Sequence, residues 1–170
     1  MGIWRRLFGS GAPEGFTGGL AAEEHVLASA ATGDGFLVAT TLGLWLPGPR
    51  RLGWHLVSKA SWTGSALSVV EAVEDGDAGG AVLLRDLPAV KYPLAAPGKV
   101  PEVVHARVTG SIRSRHRNED PGAWFLQRKV PGRDGVVLQV RPDPGADVAR
   151  VREIAAETAA RLASLRPDSD

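Results

Sequence analysis

Sixteen consecutive residues, Val103 to Asn118, hold four arginines, two histidines and no acid. Within them, Ile112-Arg113-Ser114-Arg115-His116-Arg117 places an arginine at every second position. A guanidinium is a planar fork of donors that keeps its charge at any physiological pH and matches carboxylate or phosphate oxygens two at a time. Successive side chains of an extended chain point to opposite faces, so Arg113, Arg115 and Arg117 are expected on one face of a sheet. Arg128, Lys129 and Arg133 fall on the next predicted hairpin and widen that basic surface, and Trp124 offers an apolar anchor beside it. The chemistry this implies is recognition of an anion, either an acidic protein segment or anionic head groups. The plainer reading is an outer strand whose charges discourage sheet-to-sheet association. Glu119 and Asp120 follow closely enough to neutralise part of the ridge.

Other reactive residue types do not gather into a recognisable site. The four histidines, His25, His55, His105 and His116, show no i,i+4 pair in carboxylate company of the kind that holds a metal. There is no cysteine, which excludes disulfides, thiol catalysis and thiolate metal sites. A nucleophile elbow, a phosphate loop and a dinucleotide fingerprint are all missing. Asp75, Asp77, Glu119 and Asp120 sit in predicted turns, where acids are ordinary. The expectation is therefore a non-catalytic binding or adaptor module with neither metal nor cofactor. A small enzyme whose site is not legible in the sequence is the alternative. A formal net charge of +1 argues against nucleic acid as the partner.

The N-terminus suggests a second surface. Trp4, Arg5, Arg6, Leu7 and Phe8 combine aromatic, apolar and basic side chains, a composition suited to weak contact with an anionic membrane. The arginine pair does not read as an export signal, because Gly9-Ser10-Gly11-Ala12-Pro13 follows instead of an apolar stretch. No apolar run approaches the roughly 18 residues that a spanning helix needs. The expected location is cytoplasmic, with attachment to the inner face of the membrane as the alternative.

These residues need a scaffold, and the pattern predicts a β-rich one. At 170 residues, 44% hydrophobic and 23% charged, the chain fits a single globular core. Residues 1–20 read as a flexible leader, 21–166 as one domain, and 167–170 as a tail. Strands are predicted at 25–31, 36–46, 51–62, 66–73, 80–87, 109–117, 123–130 and 135–141, separated by Gly, Pro and Asp turns. Trp45, Trp54 and Trp62 fall in these strands and are expected in the core or at a barrel rim. The proline-rich stretch 88–101 reads as a crossing loop leading to a short helix from Pro101 to Val108. Asp143-Pro144 reads as a helix start. From there Val148, Val151, Ile154, Ala155, Thr158, Leu162 and Leu165 form one apolar stripe of a helix over 144–165. The predicted class is α+β, mostly antiparallel β: a roll or partly open barrel of seven or eight strands capped by that helix.

The segments VATTLGLWLPG (38–48), RRLGWHLVSKASW (50–62) and PEVVHARVTGSI (101–112) carry a resemblance. In them the chain resembles small actinobacterial proteins of the bacterial pleckstrin-homology-like type, from about residue 20 onward. The resemblance implies a roll closed by one C-terminal helix and carries no catalytic motif. It also implies basic residues in the first hairpin loop of lipid-binding members. Here that loop is Thr32-Gly33-Asp34-Gly35, which is acidic and departs from the pattern.

Overall fold

The computed structural model describes residues 11–166. They form β1 (Val26–Thr32), β2 (Gly35–Thr40), β3 (Gly43–Leu46), β4 (Arg50–Gly53), a 3-10 turn (Trp54–Leu56), β5 (Val57–Trp62), β6 (Ala66–Ala78), β7 (Ala81–Asp86) and β8 (Val90–Pro93). Helix α1 (Val100–Ser111), β9 (Ile112–Asn118), β10 (Ala123–Lys129), β11 (Val136–Pro142) and helix α2 (Val148–Ser164) complete the order. Strands β1 to β4 make an antiparallel meander. The second sheet has seven strands, in the order β5-β6-β7-β11-β10-β9, with β8 also on β6. Only β7 with β11 is a parallel pair among the described strands. The fold is thus α+β and mostly antiparallel, with a curled half-barrel sheet and a C-terminal helix, as the residue pattern predicts.

Burial of β2 shows how the first sheet is held. Leu37, Val38, Ala39 and Thr40 are all fully buried, so both faces of the strand are covered. Leu37 and Ala39 join a core with Leu67 of β6 and with Val100 and Val104 of α1. On the other face Val38 stands opposite Trp45, and the Phe16 ring packs edge-on to Trp45 at 5.4 Å. A second core lies under α2, where Val151 and Ala155 meet Leu83, Phe125, Leu138 and Val140.

Two predicted strands divide, and another forms inside a predicted loop, so the described residues hold eleven strands where eight are expected. The stretch 36–46 breaks at Thr40, whose hydroxyl accepts from the amides of Leu42 and Gly43 at 3.1 and 3.2 Å. Gly43 permits the close return, since a Cβ there would lie 2.4 Å from the Leu52 carbonyl oxygen. The stretch 51–62 breaks at the 3-10 turn, where the Trp54 indole donates to the Thr40 carbonyl at 2.9 Å. In the proline-rich stretch, β8 pairs with Ala66–Val69. Helix α2 begins later than expected: Asp147, not Asp143, caps it by accepting from the Arg150 amide. Trp45 and Trp54 are buried as expected, whereas Trp62 is 36% exposed at the end of β5.

Glu24 anchors the segment before β1. Its side chain is fully buried, and its two oxygens accept from four groups. Oε1 takes the Ala21 amide at 3.0 Å and the Arg51 guanidinium at 2.6 Å; Oε2 takes the Thr40 hydroxyl at 2.5 Å and the Trp45 indole at 2.9 Å. Burial by itself raises the carboxyl pKa, but the Thr40, Ala21 and Trp45 donors and the Arg51 charge outweigh it and hold it below its ordinary value. A carboxyl depressed in the folded state adds stability above its unfolded pKa and loses it as pH falls through the folded one. Glu24→Ala should therefore cost about 3 kcal/mol in urea denaturation at neutral pH, since the Trp45 indole, the Thr40 hydroxyl and the Ala21 amide lose their acceptor and the partly exposed Arg51 loses its partner. Glu24→Gln should flatten the loss of stability on acidification, measured by the same titration across acidic pH.

Candidate binding surface

Strand β9 leaves α1 without a loop: Ile112 is both the helix cap, at φ −89° and ψ 116°, and the first strand residue. It is the outermost strand of the second sheet, and among the described strands it pairs only with β10. The ladder sets Arg117 opposite Trp124 and Arg115 opposite Leu126, so both arginines share a face with Trp124. The Arg115 guanidinium lies 4.4 Å from the Trp124 ring centroid, and that of Arg117 lies 5.5 Å away. Such stacking holds a cation over the ring while leaving its N–H edges free for an acceptor. Arg113 departs from the expected alternation. Pairing shifts from Ser114–Gln127 to Ile112–Arg128, so Arg113 is the extra residue of a bulge.

The arginines of this region have different surroundings. Arg117 is committed internally: it makes a two-pronged ion pair with Asp143 and a 3.4 Å contact with Glu119. The Asp143 hydrogen bonds raise the Arg117 pKa and hold the Asp143 carboxyl below its usual value. Asp143, expected as a helix cap, is thus the partner of the ridge. Arg113 and Arg115 are exposed, and no carboxylate among the described residues pairs with either. Lys129 is exposed at the end of β10.

Arg128 is a correction to the expected surface. It is 2% exposed and points between the two sheets. Its guanidinium donates to the Trp54 carbonyl at 2.8 Å, to the Val57 carbonyl at 3.0 Å and to the Ser111 hydroxyl at 2.8 and 3.1 Å. Burial, and secondarily the charge of Arg141, lower its pKa to about 10. All its recorded acceptors are neutral. A period-two pattern assigns it to the same face as Trp124, which is correct. That face is exposed at β9 and covered farther along β10, which no spacing reveals. Next to it, Gln139 donates to the His55 carbonyl at 2.8 Å. Burial first, and then the Arg128 charge, push the His55 pKa down, so that imidazole is neutral at neutral pH.

The opposite face of β9 carries Ser114, His116 and Asn118. With Glu157, Thr158 and Arg161 of α2 they border a cleft of about 310 Å³ floored by Phe125 and Leu138. Glu157 and Arg161 stand four apart on α2, but no ion pair between them is among those of the described residues; Arg150 and Glu153 pair instead at 3.3 Å. No group of three or more His, Asp or Glu side chains among the described residues is placed to hold a metal. No described helix is long and apolar enough to cross a membrane. The membrane-contact candidates Trp4, Arg5, Arg6, Leu7 and Phe8 lie outside the described residues. The sequence reading missed Glu24, which looks like an ordinary acid before a strand. Comparison with protein-family models, curated proteins and solved structures returns no match to this chain.

The buried guanidinium yields a direct test. Arg128→Met keeps much of the volume but strands two carbonyls and the Ser111 hydroxyl. It should lower stability by about 3 kcal/mol in urea denaturation, because each abandoned buried acceptor costs about 1–3 kcal/mol. Arg113→Ala and Arg115→Ala, at exposed positions, should each stay within about 0.5 kcal/mol of the parent chain.

Proposed function

We propose that this protein is a non-catalytic binding module of the pleckstrin-homology-like kind, and that it takes an extended acidic protein segment along β9. The observation that carries the reading is the free outer edge of β9 with Arg113 and Arg115 exposed and unpaired with any described carboxylate. An edge strand offers half of its backbone donors and acceptors to an incoming strand. A segment that adds there gains main-chain hydrogen bonds, and acidic side chains on it meet the two guanidinium groups. The Trp124 ring fixes the Arg115 side chain and provides apolar area beside the charge. Arg117 has a different part: tied to Asp143, it stiffens the far end of the strand.

Favourable charge complementarity at an exposed surface raises the encounter rate and makes binding salt-dependent. A labelled peptide of alternating glutamate and valine should bind saturably in fluorescence anisotropy at about 50 mM salt and weaken as salt rises. The double variant Arg113→Glu, Arg115→Glu should weaken that binding about tenfold or more, as like charges then face each other. Equal binding by parent and variant would overturn the reading. Loss of binding to anionic vesicles in the variant, with peptide binding intact, would assign the ridge to head groups instead.

A further inference from the structure

A groove of about 450 Å³ lies between the C-terminal half of α1 and the turn joining β10 to β11. Its charged lining consists of Arg107 from α1, Lys129 from the end of β10 and Arg133 from the turn, with Thr41, Trp54 and Ser111 on its walls and floor. No carboxylate lines it. All three cations are exposed, and none forms an ion pair with a described residue. Asp134 follows Arg133 in the chain but stays outside the lining. Helix α1 and the hairpin that carries Lys129 and Arg133 therefore bring three like charges around one cavity with no described ion pair to offset them.

A second observation comes from behind the floor. The buried Arg128 bonds Ser111 and Trp54, both of which line the groove, and its acceptors are neutral. The carbonyl end of α1 carries the negative pole of the helix dipole. Arg128 sits against that end through Ser111, so Arg107, Lys129 and Arg133 keep their charge uncompensated. The Arg133 charge also acts inward, adding to the burial and the Arg128 charge that disfavour protonation of the half-buried His55.

We infer that this groove binds a compact, multiply charged oxyanion of the phosphate type, a phosphate monoester or a diphosphate. A tetrahedral dianion presents several acceptor oxygens in different directions, which suits forks and an ammonium arriving from three walls; a single carboxylate engages one fork. The groove volume leaves room for a group attached to the phosphate. This inference does not depend on the β9 reading, since neither Arg113 nor Arg115 lines the groove.

The probe is inorganic pyrophosphate, titrated calorimetrically into the full chain at about 50 mM salt, where screening is modest. One saturable site is expected. Arg107→Gln and Arg133→Gln should each weaken it about tenfold, the scale of one charge-assisted contact, and the double variant should abolish it. Arg113→Gln with Arg115→Gln should leave the affinity unchanged. All these positions are exposed, and unchanged circular dichroism melts will show that the variants fold. Vesicles of phosphatidylcholine with phosphatidic acid present the same chemistry on a lipid. Sedimentation with them that Arg107→Gln abolishes assigns a membrane source, and pyrophosphate binding without sedimentation assigns a soluble one. No saturable binding, or binding indifferent to Arg107 and Arg133, overturns the inference. Loss through Arg113 and Arg115 instead overturns it in favour of the ridge.

Discussion

A single buried guanidinium joins the parts of this molecule. Arg128 belongs to β10, yet its donors end on the 3-10 turn between the two sheets, on the start of β5 and on the last residue of α1. Sequence separations of 71 and 74 residues are closed by those carbonyl contacts. A cation so placed loses its hydration and is tolerated only because its forks are occupied, so its geometry constrains every partner. The end of α1 is held there, and β9 starts at the next residue. The position of the basic edge strand thus follows from where α1 is tied.

Five arginines lie on three neighbouring strands of this sheet, and their surroundings decide what each does. Arg141 meets Ser58 and Asp86, Arg117 meets Asp143 and Glu119, and Arg128 meets only neutral acceptors inside. Arg113 and Arg115 have no described acidic partner. The edge-protection reading of those two charges remains compatible with the fold, since β9 is an outer strand. Protection alone does not call for the tryptophan that Arg115 stacks on, and this pairing turns a repellent charge into an oriented one. On the other side of the first sheet, Glu24 works in the reverse sense, collecting donors from four segments around one anion.

Much of the architecture was legible because it rests on local chemistry. The stripe from Val148 to Leu162 names a helix through its three- and four-residue steps, and the Gly and Pro turns mark most strand ends. Splitting of 36–46 was not legible, since it depends on Thr40 meeting Glu24 and on Gly43 passing close to Leu52. Likewise, the Asp143-Pro144 pair has every local feature of a helix start, but Asp143 is drawn to Arg117 by tertiary contact. At the site, Arg115 and Arg117 share a face as alternation predicts, while the place of Trp124 on that face follows from the β9–β10 register, and the bulge at Arg113 and the burial of Arg128 depend on what lies around the sheet. The groove formed by Arg107, Lys129 and Arg133 brings together a helix, a strand end and a turn, so no spacing in the chain announces it.

The central claim is that the outer edge of β9 is a place where another strand adds. Residue-resolved amide hydrogen exchange, with and without a saturating acidic peptide, tests this most directly. The account predicts new protection at alternate amides from Ile112 to Asn118, with the amides that already face β10 unchanged. Protection confined to the groove around Arg107 and Arg133, or to the cleft beside α2, with β9 exchanging as before, would contradict it.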